Sequence, residues 1–262
     1  MNVQRSAVVT GAGRGIGAAT VRRLAKDGWG VIAVDRCSND PRVPYPMADR
    51  AELAALAAQY PGQVFDVCGD VQDESVLVHS VALAEEEFGG LDAAVAAAAV
   101  MAGGRPLWES THDEWDVLFG VGVHGVANLA RAAVPAMLRR PLPRHGRFVA
   151  LASSAAHRGL RHLAGYTAAK HAVVGLIRGL AHDLRGTGIS ATAVSPGSTR
   201  TDMLAESARL YDLESVEHFV DHQLIERLLE PDEIAAVVCW LCSADASAIT
   251  GTVVHADGGF TA

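Results

Sequence analysis

The chain has 262 residues, half of them hydrophobic, enough to bury one large core without dividing into two domains. Its formal net charge of −8 argues against nucleic acid or an anionic membrane surface as partner, since both demand clustered Lys and Arg. No basic start leads into an apolar stretch and cleavage site, and no apolar run reaches the roughly 18 residues of a membrane helix, so a soluble cytoplasmic protein is expected.

Taken in order, β-branched and small-residue runs alternate with amphipathic stretches: "SAVVT" 6–10, "GVIAV" 30–34, "QVFDV" 63–67, "DAAVA" 92–96, "RFVAL" 147–151, "ISATAV" 189–194 and "TVVHA" 252–256. Seven strands with helices between them predict a single α/β domain over 1–262, built on a parallel sheet covered on both faces. The first strand runs into "VVTGAGRGIGAAT", which sets Gly11, Gly13 or Gly15, and Gly17 at the start of the helix through "AATVRRLAKDG". Glycine lets backbone approach a pyrophosphate, and a helix N-terminus supplies donors and a positive dipole. Asp35 ends the second strand 18 positions beyond Gly17, where a carboxylate can accept from ribose hydroxyls. A dinucleotide site is therefore expected. The charge of Asp35 disfavours the extra phosphate of NADP and makes NAD the expected cofactor. Arg14 and Arg36 are the cations that would favour NADP, and they read instead as solvated surface charge.

The next connection, 36–48 within "DRCSNDPRVPYPMADR", is too long for a strand-to-helix turn, which usually takes about 2 to 6 residues. Pro41, Pro44 and Pro46 stiffen it, each fixing φ and removing a donor. It reads as a cover over the adenosine and pyrophosphate. Helix starts follow at Asp49 with Glu52 and at Thr111 with Glu114, both at capping-box spacing. After the fifth strand comes Ser153, then Tyr166 and Lys170 four apart in "GYTAAKHA", a spacing that lets an ammonium lower the pKa of a phenol from about 10. Such a phenol can serve as acid and base. The sixth strand leads into a second long connection, 197–233, whose amphipathic patches mark a substrate lid over about 198–230.

Other residues carry less. Cys239 and Cys242 lie in the apolar run "DEIAAVVCWLC" and read as core thiols. His218 and His222 have a spacing that could hold zinc from a helix, but with no third ligand they read as lid surface, and no metal ligand is expected. Trp29, Trp108, Trp115 and Trp240 read as packing residues.

With Thr10-Gly11-Ala12-Gly13-Arg14-Gly15-Ile16-Gly17, a Ser153-to-Tyr166 separation of 13, Tyr166-Thr167-Ala168-Ala169-Lys170, Pro196-Gly197 and a closing Asp257-Gly258-Gly259, the chain resembles the short-chain dehydrogenase/reductase family over essentially its whole length. The resemblance implies a seven-stranded Rossmann fold, a homotetramer, and hydride transfer between a nicotinamide and an alcohol or carbonyl carbon of a small molecule. Tyr166 would be the acid-base, Ser153 would orient the substrate oxygen, and Lys170 would hold the nicotinamide ribose and depress the tyrosine pKa. Cofactor contacts carry over to Gly11, Arg14, Gly15, Ile16, Gly17, Asp35, Arg36, Ala97, Pro196 and Gly197, with Asp70 and Val71 at the adenine and Thr199 and Thr201 at the carboxamide.

Two departures stand out. Where the family commonly has Asn-Asn-Ala-Gly, this chain has Ala96-Ala97-Ala98-Ala99, keeping the small volume but losing amide hydrogen bonds. Where the family's relay asparagine is expected, Gly122 stands, and Gly120, Gly122 and Gly125 in one helix each cost about 1 kcal/mol relative to Ala. Within the family, "VDRCSNDPRVPYP", "PLWE", "RGTG" and "PGSTRTDMLAESARLY" look like the actinobacterial group associated with the peptide-derived redox carrier mycofactocin. That likeness implies an NAD-linked alcohol dehydrogenase or ketone reductase whose cofactor is reoxidised in place. A freely exchanging carbonyl or β-ketoacyl reductase is the alternative enzyme, and a cofactor-sensing binding protein the non-enzymatic one.

Overall fold

In the computed structural model, which describes residues 5–262, every run expected to be extended becomes a strand, shifted by at most two residues. The strands are β1 (Ser6–Thr10), β2 (Gly30–Asp35), β3 (Val64–Cys68), β4 (Ala93–Ala96), β5 (Arg147–Leu151), β6 (Ser190–Pro196) and β7 (Val253–Ala256). All pair in parallel in the order β3-β2-β1-β4-β5-β6-β7. The central strands β1, β4, β5 and β6 are buried along their whole length, as the continuous apolar runs require when both faces are covered.

The helices are α1 (Gly15–Lys26), α2 (Arg50–Ala57), α3 (Glu74–Phe88), α4 (His112–Phe119), α5 (Gly125–Arg139), α6 (Ala164–Asp183), α7 (Asp202–Leu210) and α8 (Pro231–Cys242). Leu24 of α1, Leu53 of α2 and Val238 of α8 pack on one face of the sheet. Leu77 of α3, Val117 of α4, Leu129 of α5 and Ile177 of α6 pack on the other. Strand order reverses between β1 and β4, so a crevice opens outside their carboxyl ends, where the ligand site of an open α/β sheet belongs.

Both expected capping boxes form, Asp49 with Glu52 and Thr111 with Glu114. Cys239 and Cys242 are buried, and burial pushes both thiols up, Cys242 to about 12, consistent with core thiols. The tryptophans divide. Trp29 is buried beneath Arg5, and Trp115 stacks on Phe119 with centroids 5.7 Å apart. Trp108 is 84% exposed on a 3-10 turn and Trp240 42% exposed on α8, so these two are not packing residues.

Between α4 and α5 the backbone widens into a π-helical stretch, Gly120–His124, that no sequence signal announced. With it, 112–139 forms one continuous helical run, long and apolar enough on composition to cross a membrane. More than half of its most apolar stretch is buried in the protein, as in a core helix. Two of its three glycines serve close approach: a Cβ at Gly125 would lie 2.6 Å from Val71 Cγ2, and one at Gly120 would collide with the Gln72 side chain. Around Gly122 there is room for a Cβ.

Candidate active site

The turn after β1 is built for close approach. Gly11 has φ +66°, and a Cβ there would lie 2.7 Å from the Ala98 backbone. At Gly17 a Cβ would run into the Gly11 carbonyl. The N-terminus of α1 carries no side-chain cap and no acidic residue in its first turn, so its free N–H groups and positive dipole face the crevice. Asp35, at the end of β2, accepts from the Gly13 N–H at 2.9 Å, which ties the carboxylate to the glycine turn. The alanine run beyond β4 is held without asparagines: the N–H groups of Ala97 and Ala98 donate to Thr10 Oγ1 at 3.2 and 3.3 Å.

Ser153, Tyr166 and Lys170 come together at the same edge. Ser153 caps a 3-10 turn, Ser154–Ala156, accepting from the Ala155 N–H at 3.1 Å. Tyr166 and Lys170 share the inner face of α6, both buried, and Lys170 Nζ donates to the Leu151 carbonyl at 2.9 Å. Nζ lies 5.7 Å from the Tyr166 ring centroid. The expected lowering of the tyrosine pKa by Lys170 is not what this geometry gives. Burial dominates and pushes Tyr166 up to about 12, while the hydrogen-bonded Ser153 hydroxyl lowers it and Tyr45 raises it. Burial likewise brings Lys170 down to about 8. The ammonium is weakened by desolvation and engaged with a carbonyl, so its hold on the phenol is loosened.

Two segments wall the crevice from above. The first, 36–48, folds around Asp40, which is 2% exposed, accepts from the Arg42 N–H and guanidinium, and pairs with Arg36. The two arginines hold its carboxyl well below the usual carboxylate range. Val43 is tucked into the core, and Tyr45 accepts from the Met101 N–H at 3.0 Å. The three prolines are not what anchors the loop: Pro41, Pro44 and Pro46 face solvent, outside the Asp40 hub. The second segment carries α7, a 3-10 turn (Val216–His222), and a small core of Ala208, Phe219 and Leu228. On that turn His218 and His222 do not share a helical i,i+4 face; His222 packs against Phe219 and Phe260 instead.

A family model described as "Enoyl-(Acyl carrier protein) reductase" matches residues 11–261. A short-chain reductase protein, NovJ, of Streptomyces niveus is 36% identical across 97% of this chain and 92% of its own length. The chain belongs to the short-chain dehydrogenase/reductase family. As a member it is an oxidoreductase of the alcohol dehydrogenase or ketone reductase kind. An uncharacterized NAD-dependent oxidoreductase of Mycobacterium tuberculosis is 33% identical across 97% of this chain and 95% of its own. Among solved structures, carveol dehydrogenase from Mycobacterium avium in complex with NAD superposes with a TM-score of 0.92 at 28% identity, covering 98% of both chains.

In this short-chain dehydrogenase/reductase one cavity of about 850 Å3 runs from the glycine turn to Ser153, Tyr166 and Lys170. Of the residues expected at the site it brings together Gly11, Arg14, Gly15, Ile16, Gly17, Asp35, Ala97, Ser153, Tyr166, Lys170, Pro196, Gly197, Thr199 and Thr201. Ser154 lines it beside Ser153. Arg36, Asp70 and Val71 are not on its wall. Arg36 is turned into the Asp40 hub and lies 3.5 Å from Asp70, which also accepts from Gln72. Val71 is buried under Gly125, and its carbonyl accepts from Asn128. Sequence reasoning missed Tyr45 and Met101 individually, and the apolar wall of Leu163, Met203, Tyr211, Phe219 and Phe260. The amphipathic spacing of the 197–233 connection was the available signal for Met203, Tyr211 and Phe219, while Phe260, which follows β7, carried none.

Proposed function

We propose that the protein is an NAD-linked dehydrogenase of apolar secondary alcohols, working in reverse as a ketone reductase, with NAD kept under the 36–48 segment and reoxidised in place by a mycofactocin-like carrier. The observation that carries this reading is a single cavity joining an uncapped helix N-terminus and Asp35 to half-buried Ser153 and buried Tyr166 and Lys170, with Tyr45, Met47 and Ala48 of the 36–48 segment forming part of its wall. The residues present fit NAD. The α1 N-terminus and its glycines would take the pyrophosphate, Asp35 the ribose hydroxyls, and Pro196, Gly197, Thr199 and Thr201 the nicotinamide end. Arg36, spent on Asp40, leaves Asp35 as the charge that selects against a 2′-phosphate. NAD-bound relatives of similar fold agree with this choice.

Bound NAD supplies the hydride acceptor. Tyr166 holds the proton at its phenolic oxygen, taking it from the alcohol in oxidation and returning it to the ketone oxygen in reduction. Ser153 donates to the same substrate oxygen, and Lys170 orders the floor through Leu151. Met101, Leu163, Met203 and Phe219 exclude water and select an apolar substrate body. The test is mass spectrometry of small molecules carried by protein purified without added cofactor and dialysed, followed by a panel of secondary alcohols with an artificial electron acceptor. Retained NAD and repeated turnover with the acceptor are expected. Protein that purifies empty and turns over freely with added NAD overturns retention and leaves an exchanging carbonyl reductase.

A further inference from the structure

Arg14 is the residue just before α1, and its backbone is extended (φ −156°), so its side chain leaves the glycine turn and rises between the two segments above the crevice. Its guanidinium donates to the Pro46 carbonyl at 2.5 Å and lies 3.1 Å from Asp202 Oδ2 in the first turn of α7. It also sits over the Tyr45 ring, 5.8 Å from the centroid. Tyr45 in turn is fixed to the body through Met101. A single cation on the cavity wall thus joins backbone of the 36–48 segment to a carboxylate of the 197–233 segment.

We propose that Arg14 is a positioning residue that latches the segment over the cofactor half to the lid over the substrate half, so that lid closure slows cofactor release. The inference rests on reading the cavity as the joint NAD and alcohol site. Its physical basis is shared partnership. If α7 swings out, Arg14 loses its only ionic partner among the described residues and the Pro46 contact must hold it alone. If the 36–48 segment lifts, Arg14 loses the Pro46 carbonyl and the Tyr45 ring and is left to Asp202 alone. Coupling of this kind is reciprocal: whatever closure contributes to cofactor retention, bound cofactor returns to substrate binding. With side chains 28% and 61% exposed, Arg14 and Asp202 form a screened pair, so the latch is modest and reversible.

The experiment measures NADH release from the loaded protein by the loss of bound-NADH fluorescence after a chase with excess NAD. Release should quicken about tenfold in Arg14→Gln, which loses a charged donor to Pro46 as well as the ion pair, and about threefold in Asp202→Asn, which loses the ion pair alone. The double variant should be no faster than Arg14→Gln, because both substitutions break one interaction. Arg14→Lys should restore part of the slow release. Raising ionic strength from about 0.01 M to about 1 M, which shortens the screening length from about 30 Å to about 3 Å, should speed release from the parent but not from the double variant. Thermal melting of each variant separates loss of the latch from loss of the fold, and Asp202 lies on the surface where folding is least at risk. Unchanged release in Asp202→Asn, or effects of the two single variants that multiply in full, overturns the latch while leaving the NAD reading intact. A parent protein that binds no NADH overturns both.

Discussion

The floor and the roof of the cavity are built by opposite means. On the floor, Ser153, Tyr166 and Lys170 are carried by β5 and α6, and the latter two are buried against Leu151 and the core. Above, the roof is tied down by charge: Arg36 and Arg42 on Asp40, Arg14 on Asp202, Arg200 on Glu217 and Glu230, Arg209 on Glu206, Arg227 on Glu233. Close-packed neutral contacts hold a reacting group to one position, because a core has no alternative packing of similar energy. Asp40 and Glu206 are buried under their arginines, but the pairs Arg14–Asp202, Arg200–Glu217 and Arg227–Glu233 are open to solvent on both sides. Such pairs are each worth about 0 to 1 kcal/mol and can be exchanged for water, which suits parts that open. On the proposed reading, the chemistry belongs to the stiff half and access to the soft half.

Damage to the floor should therefore stop turnover, and damage to the roof should change exchange. The largest effect is expected from Tyr166→Phe, which removes the acid-base proton and should cost at least 10²-fold in turnover while NADH still binds. Activity above a few per cent of the parent would break the assignment. The parent's pH profile sharpens the same point. With Tyr166 pushed up to about 12 it is protonated at neutral pH, so ketone reduction should be level near pH 7. Alcohol oxidation, which needs the phenolate, should climb through the alkaline range. A plateau of oxidation below pH 7 would show that bound ligands, not burial, govern the phenol.

Next in size, Ser153→Ala should lower turnover about 10²-fold through loss of an oxygen-directed donor, with Ser154→Ala milder. The reverse order would place the substrate oxygen at the neighbouring serine. Asp35→Ala belongs to both halves, since Asp35 ties the glycine turn and lines the cavity. NAD affinity should fall about tenfold or more and preference over NADP should narrow, as read by titration of both cofactors. Equal parent affinities for the two would refute its selective role.

Asp40→Asn probes the roof alone. It should leave turnover of loaded protein near the parent value but hasten NADH release and admit protease between 36 and 48. Asp40 is held below its ordinary value of 3.8, so its contribution is present above that pH and lost as pH falls below it. The parent's loop should therefore become protease-sensitive only in acid. Slow release that survives in Asp40→Asn would mean that the Val43 and Tyr45 contacts hold the segment without its charge hub. The smallest effect is expected from Gly122→Asn. A Cβ there meets open space, so the variant should fold with equal or slightly higher turnover and melting temperature. A large loss would show that the π-helical stretch needs glycine for its backbone.

What sequence alone determined is what depends on near neighbours along the chain. The seven strands, the uncapped glycine turn before α1, the capping boxes at Asp49 and Thr111, and the Ser153, Tyr166 and Lys170 spacing all follow from hydrogen bonds and side-chain periods spanning a few residues, or from a motif that records them. Tertiary structure decided which groups meet across the crevice. It turned Arg36 to Asp40 and Arg14 to Pro46 and Asp202, took Asp70 and Val71 off the cavity wall, and left Trp108 in solvent. It also reversed the expected shift of Tyr166, because a spacing of four specifies a face of α6 but not how deeply that face is buried. Burial and long-range charge pairing depend on segments far apart in sequence, and no local pattern in either partner records the other's position.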